Sequence, residues 1–181
     1  LTGRRTDDDS RGRPFRPGGV RPMKFEAEVS ALQRTPMFQG VDVSRLRLLA
    51  FMGEDRSFKD GEYVVRQGEM SDNAYLILSG SADVIVEFGG AASTVASLGE
   101  SEVFGEMAML CETPRTASVR ASGDLRTLCF EREGMLRLLR EFPEMAIEMS
   151  RSLAHRLERT TSELARVRAE VARARGDAAG S

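Results

Sequence analysis

From Phe25 onward the chain alternates between two hydrophobic periods, and the changeovers divide it into helix, sheet and helix. Phe25, Val29 and Leu32 recur on one helical face, Thr35-Pro36 interrupts it, and Ser44 precedes a second helical run through Leu46, Leu49 and Ala50. After Met52 the period becomes two. The segments EYVVRQGE, AYLILSG, ADVIVEF, STVASLG, TASVRASG and LRTLCFE are short strand-like alternations or compact apolar runs. Gly, Asp and Ser separate them at the spacing expected of an all-β barrel or sandwich. Gly61, Gly68, Gly80, Gly99 and Gly105 fall at or near the segment ends, where positive φ or close backbone approach is needed. Past Phe130 the helical period returns in EGMLRLLREF, and Pro143 opens a long helix running to about Arg175. The pattern predicts an α+β fold, an antiparallel β-barrel flanked by N-terminal and C-terminal helices.

Residues 1–22 carry Gly, Pro, Arg and Asp without apolar periodicity, and are expected to be a disordered tail. A leading Leu1 ahead of Met23 fits a start placed upstream, or a piece of a longer chain. The organisation expected is a domain over 23–159, a helical extension over 160–175 that can form a short coiled coil, and a disordered tail over 176–181. With 181 residues, 41% of them hydrophobic and 30% charged, the chain is long enough for one such domain with a sizeable core. Net charge is −2, and the two ends are basic. An acidic body with short basic ends of mixed sign does not suggest direct nucleic-acid binding. No stretch approaches the roughly 18 apolar residues of a membrane span, so the expected location is cytoplasmic. Cys111 and Cys129 sit in apolar surroundings and are expected to be buried structural thiols. With one histidine, His155, in a charged helical stretch and no Cys-x-x-Cys, no metal site is expected.

The segment FGEMAMLCETPRTASV, residues 104–119, carries the candidate chemistry. It is predicted to be a strand end, a glycine turn and one helical turn. The first N–H groups of such a turn lack carbonyl partners, and Gly105 lets an anion approach them. Arg115 follows Pro114 into the next strand, and its planar fork matches phosphate oxygens. Glu106 would repel a phosphate but accepts a hydrogen bond from a sugar hydroxyl. Phosphate, ribose and an apolar pocket together suggest a nucleotide whose phosphate and sugar are compactly joined. Taken singly, Arg115 paired with Glu112 and Glu106 as a charge favoured by the helix dipole explain these residues equally well.

GEYVVRQGE (61–69), YLILSGSADV (75–84), LGESEVFGEMAML (98–110) and PRTASVRA (114–121), in this order, resemble the cyclic nucleotide-binding domain family. The last two resemble its phosphate-binding cassette, and the likeness runs from about Phe25 to Arg159. It implies a jelly-roll barrel, or double-stranded β-helix. It further implies that Arg115 binds the exocyclic phosphate oxygens, that Glu106 holds the ribose 2′-hydroxyl, and that Gly105, Met107 and Ala108 give backbone contacts. Thr116 would lie against phosphate and base. Val84 and Leu98 would line the pocket, and Phe104 and Ala117 complete the expected contact set. Arg156 resembles the arginine that caps the base in channel-type members. Ser101 departs from the pattern, since the family commonly has glycine in that turn.

In the last helix Leu153, Leu157, Thr160, Leu164, Val167 and Val171 are spaced 4, 3, 4, 3, 4, a heptad seam that predicts a homodimer, the alternative being a helix simply packed on the barrel. The expected function is a regulatory module, stand-alone or excised, that binds cyclic AMP and/or cyclic GMP and signals through movement of its C-terminal helices. The alternative is a structural dimerisation module with a degenerate, empty pocket. No catalytic residue and no cofactor beyond the nucleotide ligand are expected; a cupin-like oxygenase would need histidine ligands. Nothing in the sequence identifies a downstream effector.

Overall fold

The computed structural model describes the backbone of residues 24–179 and, except Val171, the side chains from Glu26 to Arg173. The tail expected over 1–22, the side chains of Phe25 and Val171, and residues 180 and 181 lie outside the described residues. Helix α1 (Lys24–Arg34) leads through a 3-10 turn at Pro36–Phe38 to α2 (Val43–Met52). Strands β1 (Glu54–Phe58), β2 (Tyr63–Val65), β3 (Asn73–Phe88), β4 (Ala91–Leu98) and β5 (Val103–Phe104) follow. Helix α3 (Glu106–Cys111), strand β6 (Ser118–Glu131), α4 (Arg132–Glu141) and α5 (Pro143–Ala179) complete the chain. Residues 176–179, expected in the C-terminal tail, are the last helical residues.

All strand pairs are antiparallel, in the order β1-β6-β3-β4, with β2 against β6 and β5 against β3. This is the expected α+β architecture, a barrel-like antiparallel sheet with helices before and after it. The sheet path does not close on itself. The two faces of its long strands explain the compact apolar runs. Along β3, Ala74 and Leu76 face a cluster built with α1, α2, α4 and α5, while Tyr75 and Ile77 face the barrel interior. Along β6, Leu128 and Phe130 take the helical side, and Val119, Ala121, Leu125 and Cys129 the interior. A strand buried on both faces cannot show polar alternation.

Three local expectations are corrected. AYLILSG with ADVIVEF, and TASVRASG with LRTLCFE, form one strand each, β3 and β6. Gly80 was expected near a strand end, yet lies mid-strand at φ +89°, where the pairing with β6 shifts register. A Cβ there would stand 2.3 Å from the Asp124 carbonyl oxygen, so glycine permits the crossing of two backbones without ending the strand. Strand β1 has little apolar pattern because only Phe58 of its five residues is buried, and pairing with β6 makes it a strand. Helix α2 begins one residue before Ser44: Asp42 is its cap, its carboxylate accepting from the Ser44 N–H at 2.8 Å.

Met145 and Met149 seat the start of α5 in the helical cluster, with Leu153 packed at its edge. Beyond Leu153 every described residue of α5 is exposed.

Candidate functional site

The site forms where β5 ends. Phe104 pairs with Tyr75 on β3, and their rings stack with centroids 5.1 Å apart. Gly105 then turns the chain at φ +80°, ψ −2°, in the left-handed region, and α3 begins at Glu106. A Cβ on Gly105 would lie 2.5 Å from Arg115 Nη1 and 2.9 Å from the Asn73 carbonyl oxygen, so glycine is required for space as well as for φ.

Arg115 is only 4% exposed. The loop before β3 brackets its backbone: the Arg115 N–H donates to Glu69 O at 2.9 Å, and the Gly68 N–H donates to Arg115 O at 2.8 Å. Its guanidinium donates from Nη1 to Gly105 O at 2.8 Å, and from Nη2 to Asn73 O at 2.7 Å and Ser71 Oγ at 2.9 Å. Every acceptor is neutral. Nε is buried with no partner, alone in this respect among the described side chains. Burial draws the guanidinium below its ordinary proton affinity, opposed by Tyr75, Cys129, Asp72 and Glu106. A cation so placed makes no ion pair among the described residues. Glu112, the sequence-level candidate for its partner, instead pairs with Arg132.

Glu106 is 2% exposed, and its Oε1 accepts from Arg156 Nη1 at 2.7 Å. Arg156, expected to cap a base, therefore sits on the carboxylate expected to receive the sugar. Phe104 and Leu98 are buried in the interior cluster, with Val84 packed against it. Ala108 is buried, Ala117 half-buried and Thr116 exposed at the approach to β6. Met107 turns outward, 55% exposed, whereas Met109 is wholly buried in the helical cluster. Sequence reading missed Ser71 and Asn73. The polar run Ser71-Asp72-Asn73 ahead of an apolar strand was their only local signal.

Ser101 adopts φ +65°, in the left-handed region, which accounts for the glycine common at this position. Its N–H donates to Ile77 O at 2.9 Å, fixing the turn on β3. Ser101→Gly is expected to stabilise the fold by about 0.5–1 kcal/mol, the left-handed strain removed less the entropy glycine adds to the unfolded chain. Thermal melting checks this: a rise of about 1–4 °C is expected for a domain of this size, and a fall would show that the side chain holds the turn.

Of the two cysteines expected to be buried, Cys129 is, and burial pushes its thiol up to about 11. Cys111 is exposed, because it lies in the last turn of a six-residue helix whose buried face is Glu106, Ala108 and Met109. His155 is exposed, 3.8 Å from Glu158 on the same helix. Among the described residues no helix is long and apolar enough to cross a membrane.

A family profile described as the cyclic nucleotide-binding domain matches residues 55–142. The chain is 33% identical over 145 residues to the cyclic AMP receptor protein of Thermus thermophilus, covering 80% of this chain and 67% of that protein. It is 31% identical over 109 residues to the cAMP-dependent protein kinase regulatory subunit of Blastocladiella emersonii, covering 60% of this chain and 27% of that one. The regulatory domain of Toxoplasma gondii PKA, solved with cAMP, superposes with a TM-score of 0.66 at 29% identity over 74% of this chain and 51% of that one. The chain thus spans between about a quarter and two thirds of these proteins.

Proposed function

The chain belongs to the cyclic nucleotide-binding domain family, and from that premise we propose that it binds cyclic AMP and cyclic GMP and reports occupancy through its C-terminal helix. The observation that carries this is Arg115: a buried cation held by neutral acceptors, with its Nε–H idle. Burying a charge without a counter-charge costs several kcal/mol, and a phosphate that reaches the fork supplies the missing anion. Glu106 then accepts the ribose 2′-hydroxyl, and the apolar side chains of Val84, Leu98 and Phe104 favour the rest of the ligand over water. The relatives named for cyclic AMP support the ligand class. The signal passes through α5, whose exposed seam pairs with a second copy.

Thr116 sets the choice between bases. Its exposed hydroxyl beside Arg115 accepts a hydrogen bond from the 2-amino group of a syn guanine. One neutral hydrogen bond contributes about 0.5–1.5 kcal/mol net, a several-fold preference rather than an exclusive one. Both nucleotides are expected to bind within roughly tenfold of each other, and Thr116→Ala to weaken cyclic GMP more than cyclic AMP. Calorimetric titration of wild type and variant with cyclic AMP, cyclic GMP and cyclic di-GMP tests this. Equal losses for both mononucleotides would confine Thr116 to the phosphate. Thermal melting with and without ligand separates the reading from a structural module with an empty pocket, because a ligand that binds only the folded state raises the midpoint.

A further inference from the structure

The segment EYVVRQGE ends in a turn over residues 66–69 that meets three separate parts of the fold. The Glu69 N–H donates to Arg66 O at 3.2 Å, and Gly68 in third position has φ +83°, as a type II turn requires. Gly68 and Glu69 are the residues whose backbones bracket Arg115. The turn is itself held through Gln67. Pairing of β3 with β6 ends at Ile85 and Ser118, two residues before Glu87. Past that point the Gln67 side chain takes the place of a strand: its Oε1 accepts from the Glu87 N–H at 2.7 Å, and its Nε2 donates to Glu87 O at 3.1 Å. A carboxamide carries the same donor and acceptor as a peptide unit, so it can stand in for one. The Gln67 N–H donates to Ser118 Oγ at 2.9 Å, which ties the turn to the first residue of β6 as well.

We infer that Gln67 is a positioning residue for the phosphate: by fastening this turn to the end of β3, it fixes the main chain from which the Arg115 fork is aimed. This rests on the reading that the site takes a cyclic nucleotide. Arg115 lies between α3 and β6 and belongs to neither, so its two backbone bonds to the turn do for it what a ladder does for a strand residue. Gly105 O, Asn73 O and Ser71 Oγ hold the far end of the side chain, and the turn holds its root. A planar fork that must align N–H donors with phosphate oxygens is sensitive to displacement at the root. Gln67 touches no ligand in this arrangement; it acts through Arg115.

The test measures cyclic AMP affinity by calorimetry on the full chain, in wild type, Gln67→Met, Arg115→Lys and the double variant, with circular dichroism and thermal melting as controls. Gln67→Met keeps the length of an exposed side chain and removes both bonds to Glu87. It is expected to weaken cyclic AMP by about three- to tenfold, the effect of one or two neutral hydrogen bonds. Beside Arg115→Lys the same change is expected to cost less than about twofold, since an ammonium on a flexible stem adjusts where a planar fork cannot. Unchanged or tighter affinity in Gln67→Met, whatever the melting midpoint, would confine Gln67 to the fold and overturn the inference. Equal losses in the two backgrounds would overturn it by placing the effect of Gln67 away from the fork. Either outcome leaves cyclic nucleotide binding intact. Wild type that binds no cyclic AMP would overturn the functional reading itself, and this inference with it.

Discussion

Arg115→Ala is expected to weaken cyclic nucleotide binding by about 2–4 kcal/mol, a loss of roughly 30- to 700-fold. The size follows from burial. In the proposed complex the phosphate charge sits against a guanidinium shielded from water, and truncation leaves that charge with no counter-ion. The substitution also orphans the Gly105 and Asn73 carbonyls and the Ser71 hydroxyl, each a loss of about 1 kcal/mol. Removing a cation buried among neutral groups offsets part of that, and both apolar clusters remain untouched. The variant should therefore fold, with circular dichroism as the control, while calorimetry reads the affinity. Arg115→Lys should fall between the two, since it keeps the charge but loses the planar fork. Unchanged affinity in Arg115→Ala would remove Arg115 from the site.

The second large effect is expected in assembly. Leu153 is engaged with the domain, Thr160 Oγ1 donates to the Arg156 carbonyl of its own helix, and Leu157, Leu164 and Val167 stand about half exposed or more. Among the described residues the apolar content of the seam available to a partner thus rests on those last three. Leu157→Glu with Leu164→Glu removes two leucines from each chain of a symmetric pair and puts charge in their place. Four leucines at about 1.5 kcal/mol or more each amount to about 6 kcal/mol, enough to raise a dimer dissociation constant by about four orders of magnitude. Sedimentation should show a dimer becoming a monomer. A wild-type chain that is monomeric at micromolar concentration would exclude the interface.

Arg115 and Gly105 were legible because their signal is local. A glycine turn, a carboxylate beside it and an arginine ten positions on lie within one short segment, where spacing alone constrains what meets what. The same holds for the helical runs around Leu46 and Leu138 and for the seam of α5, since periodicity of 3.6 or 3.5 records which face is apolar. Strand continuity was not legible. Glycine usually ends a segment, and only the Asp124 backbone lying against Gly80 shows that here it lets two long strands cross.

The sequence by itself determined the alternation of helix, sheet and helix, and the chemistry available at the glycine turn. These follow from preferences expressed within a few residues: side-chain period, φ freedom and the donor and acceptor inventory. What the tertiary structure decided is which distant groups those residues meet. The acceptors of Arg115 Nη2 lie 42 and 44 residues away at Asn73 and Ser71, and the partner of Glu106 lies 50 residues away on α5. No local pattern encodes these pairings. Arg156 reaches Glu106 because Met145 and Met149 seat α5 in the helical cluster, and Arg115 lies beside Asn73 because the loop before β3 brackets its backbone. Both placements result from packing of the whole domain, in which burial of apolar side chains brings together polar groups that have no relation along the chain.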